Sequence, residues 1–284
     1  MNVIWVLENI EKNKDFYSRF NILLLITSTI LWKRNHPEDI CILYADDITI
    51  DLLDRLKVLE IWDKIKNLPN PINVNKTVFW ASAKLQVLAE VDTPVILMDN
   101  DTHVYAPIKK YLDTSNVYVT NYEIGKGYYP TSIDPYVRKL SYRPRWKTES
   151  VNVSFLQLPN PEFTRKYANQ SIQMMEEFTL HKAPNPQYLI FAEQLLLRHL
   201  LNKEEIIYRP LITNSWDCKG VKWKEDDNKG LWKVEESRKY FKHYGPEKKY
   251  ILQSIYGENY EREMKHLVNC INFHNLDLSS IKNR

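Results

Sequence analysis

The apolar residues of this chain fall into short runs and helical faces that alternate through its first hundred positions. Val3-Ile4-Trp5-Val6-Leu7 is an unbroken apolar run and predicts a buried strand over Asn2–Leu7. Phe16–Trp32 predicts a helix that ends ahead of His36-Pro37, because the residue before a proline is pushed out of helical geometry. Ile40–Tyr44 predicts a second strand, closed by Asp46-Asp47, and a helix from Ile50 to Trp62 follows. A short segment bounded by Pro69 and Pro71 leads to a helix over Val78–Val91, with Leu85, Leu88 and Ala89 on one face. Pro94 then introduces the strand Val95–Met98.

The second half is looser. Val117–Thr120 predicts a strand, 121–149 a long connection, Val151–Leu158 a strand and Glu162–Phe178 a helix. Gln187–Leu201 predicts a further helix, Ile206–Tyr208 a strand, 213–237 mostly loop, and Tyr250–Asn269 a helix packed outside the domain. Strands alternating with helices predict an α/β fold whose sheet is mixed, mostly parallel and flanked by helices. The expectation is one domain over 1–284.

Composition narrows the function. With 44% hydrophobic and 26% charged residues the chain is globular, and a net charge of +3 is too weak to argue a nucleic-acid or anionic-membrane partner. Only six glycines occur and none precedes Gly125, which excludes a dinucleotide fingerprint or P-loop at the first strand–helix junction. The most apolar stretch, Ile22–Trp32, is interrupted by Thr27-Ser28-Thr29 and falls short of the roughly twenty residues of a membrane span. Cys41, Cys218 and Cys270 form no C-x-x-C pair, so the expectation is a reducing, cytoplasmic compartment. Sequons at Asn75, Asn100, Asn152 and Asn169 fit that compartment, because a glycan on Asn100 would obstruct the acidic tip described next.

Val95–Met98 runs directly into Asp99-Asn100-Asp101. The carboxyl end of a buried strand is where open α/β sheets bind ligands, and residues i and i+2 of an extended segment face the same way. Both carboxylates can therefore address one hard cation, which in turn neutralises a diphosphate. That supplies what the missing glycine loop would otherwise do. The plainer alternative has Asp99 capping a turn and Asp101 solvated.

The segment Leu97-Met98-Asp99-Asn100-Asp101, behind the helix Ala83-Lys84-Leu85, resembles metal-dependent nucleotide-sugar glycosyltransferases of the GT-A fold, nearest the glycogenin and lipopolysaccharide galactosyltransferase group (family 8-like). The resemblance spans Val3 to Lys248. It implies a GT-A-like domain, with 1–120 as nucleotide-binding half, 121–248 as donor-sugar and acceptor half, and 249–284 as a helical C-terminal segment. It implies Asp99, Asp101 and His243 as ligands of Mn²⁺ or Mg²⁺, and Lys84, Asp99, Asn152, Gly245 and Lys248 as donor-binding residues. Glu193 and Gln194 would face the anomeric carbon. The implied activity is hexose transfer from a UDP-sugar to a carbohydrate acceptor, with retention in the group's manner, although Glu193 equally suits an inverting base. Two departures stand out: Ser154 replaces the group's glycine after Asn152, and one residue is missing between His243 and Gly245.

Other readings remain open beside it. Asp99-Asn100-Asp101 also resembles the haloacid-dehalogenase phosphatase motif, with Asp99 as nucleophile, though the usual following glycine is absent. A non-catalytic carbohydrate-binding protein would use the 12% aromatic content equally well. Asp46-Asp47 suits either a base or ribose contact or a turn. The connection 121–149 interleaves Tyr128, Tyr129, Tyr136, Tyr142 and Trp146 with Arg138, Lys139, Arg143, Arg145 and Lys147, which suits stacking on sugar rings or packing on its own core. His103, His181, His199, His266 and His274 show no ligand spacing and read as structural.

Overall fold

The computed structural model describes residues 1–8, 19–125, 128–131, 133–143, 149–225, 230–245 and 258–272. The chain divides into two compact units, one of residues 1–67, 98–110 and 238–284, the other of residues 68–97 and 111–237. Strands and helices alternate through both, and parallel pairs predominate in the mixed sheet, as the apolar pattern predicts.

In the first unit β1 (Asn2–Leu7) pairs in parallel with β2 (Ile40–Ala45), and β2 with β3 (Lys64–Asn67). The apolar run of β1 is buried from Val3 to Leu7. Helix α1 (Arg19–Asn35) hides its polar interruption, Thr27-Ser28-Thr29, in the interior. The Ser28 hydroxyl accepts from Trp5 Nε1 at 2.9 Å and donates to the Thr102 carbonyl at 2.6 Å, so the buried indole and hydroxyl are satisfied and the chain beyond the acidic tip is tied to α1. Helix α2 (Asp47–Arg55) starts and stops earlier than the expected Ile50–Trp62. Its first turn is closed by Asp46, whose carboxylate accepts from Thr49 N at 2.8 Å. Asp46 is therefore a helix cap, and Asp47 accepts from Asn67 Nδ2 at 2.7 Å. β3 has a single apolar residue, Ile65, which is why its sequence reads as a connection.

Two strands with no sequence signal complete this unit. β5 (Thr102–Val104) and β11 (Phe241–His243) are three residues each and pair antiparallel. Helix α8 (Glu258–Asn272) buries Met264, Leu267 and Ile271 and packs on α1.

In the second unit β6 (Val117–Ile124) pairs antiparallel with β7 (Glu149–Leu158) and in parallel with β8 (Tyr208–Pro210) and β9 (Ser215–Asp217). β10 (Lys222–Lys224) adds antiparallel to β9, so the stretch 213–237, expected as mostly loop, holds two strands and the short helix α7 (Val234–Ser237). β4 (Val95–Met98) is buried throughout. Helix α3 (Ser82–Ala89) packs on α4 (Pro161–Leu180), which opens with the Asn160 cap and Pro161 in its first turn. Helices α5 (Gln187–Ile190) and α6 (Leu196–Lys203) are joined through a π-helical turn, Phe191–Leu195, that lies against β7. No helix among the described residues is long and apolar enough to cross a membrane.

Candidate functional site

The strand β4 delivers Asp99 and Asp101 to a turn closed by Thr102 N donating to Asp99 O at 3.0 Å. Asn100 is held from behind, its Nδ2 donating to Val6 O at 3.3 Å. His243 arrives from far along the chain because β11 pairs with β5 in the register His243↔Thr102. Tyr244 N then donates to Asp101 O at 3.0 Å, extending the pairing into the acidic turn. His243 Nε2 lies 3.5 Å from Asp101 Oδ1 and 3.9 Å from Asp99 Oδ2. One ligand atom from each of Asp99, Asp101 and His243 lies within 4.8 Å of the others, and all three side chains are half-buried.

That donor set fits a divalent cation. Ligand atoms about 2.1 Å from one ion sit about 3 to 4.2 Å apart, which brackets both measured separations. Carboxylates suit either Mn²⁺ or Mg²⁺, and neutral imidazole suits Mn²⁺ better than Mg²⁺.

The shortened spacing between His243 and Gly245 has a local explanation. Tyr244 is fully buried, set edge-on against His103 and Phe20, and its hydroxyl donates to Glu263 Oε2 of α8 at 3.1 Å. Gly245 follows at φ +30° with its Cα against the imidazole: a Cβ there would lie 2.9 Å from His243 Cε1 and 3.3 Å from both ring nitrogens. Gly245→Ala would therefore be strained twice, in backbone and in contact. It is expected to rotate the His243 ring and raise the Mn²⁺ concentration for half-maximal stabilisation by about tenfold, as disturbed ligand orientation does. Mn²⁺ titration of the melting temperature checks it.

His103, next to the turn, is a structural residue. It is fully buried, its Nε2 donates to Leu24 O at 3.0 Å, and burial pushes the imidazole down to about 3. The folded state keeps it neutral, whereas the unfolded chain takes up a proton below about 6.5. Its contribution is therefore lost as pH falls, at up to about 1.4 kcal/mol per pH unit between 6.5 and 3. His103→Gln is expected to flatten the pH dependence of urea unfolding between pH 6.5 and 5.

A second polar cluster lies in the other unit. Gln194, oriented so that each polar atom meets a complementary partner, donates to Val151 O at 3.2 Å and to Glu123 Oε2 at 3.1 Å. Asn152 Nδ2 donates to Glu123 Oε1 at 2.8 Å, and Asn152 Oδ1 accepts from Ser154 N at 3.0 Å. The Tyr129 hydroxyl donates to Glu123 Oε2 at 2.9 Å. Glu123 is thus the carboxylate on which Asn152 and Gln194 converge. Sequence reasoning missed it because the convergence depends on the antiparallel register of β6 with β7, where Asn121 faces Asn152 and Glu123 faces Ser150.

Glu193 is buried in the π-helical turn, its carbonyl accepting from the Tyr167 hydroxyl at 3.2 Å. Burial and the nearby Glu193 charge push that hydroxyl far above its usual pKa. Ser154, where the resembled group has glycine, turns its hydroxyl to Thr120 Oγ1 at 2.7 Å inside the sheet. Lys84 sits in the first turn of α3, half-buried. Lys248 lies outside the described residues, as do Trp146, Arg145 and Lys147 of the aromatic connection. Of that connection, Tyr129 is buried on Glu123, Tyr136 stacks edge-on to Tyr188, and the Tyr142 hydroxyl is 3.0 Å from His199 Nε2.

The profile of the family of unknown function DUF6734 matches residues 5–265. The chain belongs to this family. No curated protein sequence matches this member of DUF6734. Among solved structures it is similar to an active-site mutant of LgtC, at 11% identity and TM-score 0.41, over 74% of this chain and 72% of that one. It is also similar to the PaToxG glycosyltransferase, at 12% identity and TM-score 0.40, over 72% and 68%. A third is mouse xyloside xylosyltransferase 1 in its apo form, at 9% identity and TM-score 0.37, over 74% and 85%.

Proposed function

We propose that this DUF6734 chain is a metal-dependent glycosyltransferase that moves a hexose from a nucleoside diphosphate sugar, UDP-sugar foremost, to a carbohydrate acceptor. The observation that carries the reading is the convergence of Asp99, Asp101 and His243 at the end of β4, in a chain without an early glycine loop to cradle phosphate. A bound Mn²⁺ or Mg²⁺ would supply diphosphate neutralisation and charge stabilisation for the departing nucleotide. Asp99, Asp101 and His243 would hold it, the imidazole lying against the backbone of Gly245. Lys84 and Lys248 add positive charge toward the diphosphate.

In the reaction the bond between the anomeric carbon and the β-phosphate oxygen breaks, and its electron pair leaves with the diphosphate. A bond from the acceptor oxygen to the anomeric carbon forms, and the acceptor's hydroxyl proton passes to the leaving phosphate oxygen, with retention. Asn152 and Gln194 orient the sugar, both amides being fixed by Glu123. Gln194 uses its N–H groups on Glu123 and Val151, so its carbonyl oxygen is the end it offers to developing positive charge. Glu193 stabilises the same charge from the buried π-helical turn. Free Cys41 and Cys218 fit a cytoplasmic enzyme.

Proton NMR of a panel of nucleotide sugars incubated with the protein and Mn²⁺ tests the reading. Release of free hexose from one of them, abolished by EDTA, is the expected result. Cleavage of phosphomonoesters instead, with nucleotide sugars intact, would favour the phosphatase chemistry of Asp99.

A further inference from the structure

The Glu123 cluster continues sideways into two tryptophans. In the parallel pairing of β6 with β9 the partner of Glu123 is Trp216, and in the antiparallel pairing of β9 with β10 the partner of Trp216 is Trp223. Directly paired residues project from the same face of a sheet. Ser150, Glu123, Trp216 and Trp223 therefore form one row across four strands, three of them carrying chemistry suited to a polyhydroxylated ring. The two indoles are half-buried, with ring centroids 5.2 Å apart at 69°.

The hairpin that presents them is clamped by an ion pair and a hydrogen-bonded turn. On its opposite face Asp217 Oδ2 pairs with Lys224 Nζ at 2.6 Å. Asp217 Oδ1 accepts from Lys219 N at 3.1 Å and Gly220 N at 3.0 Å, closing the turn. A Cβ on Gly220 would lie 2.8 Å from Asp217 Oδ2, so the turn leaves no room for a side chain there. The lysine and the two amides hold the carboxyl down to about 2, so the clamp persists at any physiological pH. Strand alternation thus separates a salt-bridged face, with Lys222, Asp217 and Lys224, from an aromatic one.

An indole face beside a hydrogen-bonding carboxylate matches the two sides of a pyranose. The C–H face of the ring loses water against the aromatic surface, and the equatorial hydroxyls donate to the carboxylate. A nucleotide base would stack on indole too, but the Glu123 carboxylate disfavours its phosphates. We propose that Trp216 and Trp223 form a pyranose-binding platform that carries the acceptor glycan beside Glu123. This rests on the glycosyltransferase reading for the word acceptor, while the platform itself requires only that a sugar ring binds there.

The test is ¹H–¹⁵N NMR of the tryptophan indole N–H groups in the full chain, titrated with methyl glycosides of glucose, galactose, mannose and N-acetylglucosamine. Trp216→Phe and Trp223→Phe assign the two resonances among the eight tryptophans. The expected result is that at least one glycoside shifts both resonances. Trp223→Ala is expected to weaken that binding by about tenfold, the size of one lost stacking contact. Trp223→Tyr, which keeps a ring and guards against misfolding of the alanine variant, is expected to restore it. If none of the four glycosides moves either resonance at 100 mM, or if Trp223→Ala folds and binds as wild type does, the platform is refuted. A parallel Mn²⁺–UDP thermal shift separates the two readings. Glycoside binding without that shift keeps the platform and removes the transferase, whereas the shift without glycoside binding does the reverse.

Discussion

Asp101→Asn is expected to lower Mn²⁺-dependent donor hydrolysis by about 100-fold or more at millimolar metal, with the melting temperature of the metal-free protein unchanged. Removing an outer-shell partner of a metal ligand already costs about 10–100-fold, and Asp101 is itself a proposed ligand. The carboxylate lies 3.5 Å from His243 Nε2, and an amide there removes a full negative charge from the donor set. The fold should be indifferent, because what ties the turn together is main chain: Tyr244 N donates to Asp101 O and Thr102 N to Asp99 O. Activity measured against Mn²⁺ concentration for wild type and mutant checks this. An unchanged activation curve would show that Asp101 is no ligand.

The second large effect is expected at Glu123. Glu123→Ala leaves Asn152 and Gln194 without the acceptor that orients them both, and leaves the buried Tyr129 hydroxyl without its 2.9 Å partner. The unmet donors should cost about 1–3 kcal/mol of stability. Turnover should fall about 100-fold, the scale at which misplaced positioning groups are felt. Metal–nucleotide binding should be retained, because Asp99, Asp101 and His243 belong to the other unit. Glu123→Asp, with a shorter reach to the same partners, should recover part of the turnover. Calorimetry with Mn²⁺ and UDP, beside the hydrolysis rate, reads the two effects separately. A Glu123→Ala protein that turns over normally would reduce the cluster to a packing feature.

How much of this was legible in the sequence follows from which signals are local. Val95–Met98 followed by two aspartates is a local pattern, and Asp99 and Asp101 stand just past the end of β4. The long apolar run of β1 and the polar gap inside α1 are local too, although only the fold shows that Ser28 bridges Trp5 and Thr102. The strands that build the site are the illegible part. β5 and β11 are three residues each, and Phe-Lys-His has no strand signature; His243 meets Asp101 only through pairing across more than a hundred residues. Glu123 lay in what reads as a long connection, since β6 runs four residues past the expected Thr120, through polar and aromatic positions. Asp46 is decided by the fold as well: a carboxylate after a strand suits a ligand contact or a turn, and its cap to Thr49 N selects the second.

The central claim is that the carboxylates and imidazole at the end of β4 hold a cation that holds a nucleoside diphosphate. Thermal unfolding with UDP, in Mn²⁺ and in EDTA, tests it most directly, since a ligand that binds only the folded state raises its melting temperature. UDP is expected to raise the melting temperature in Mn²⁺ and leave it unchanged in EDTA, with the Mn²⁺-dependent rise absent in Asp101→Asn. Equal stabilisation by UDP in EDTA, or a full Mn²⁺ effect in Asp101→Asn, would contradict it.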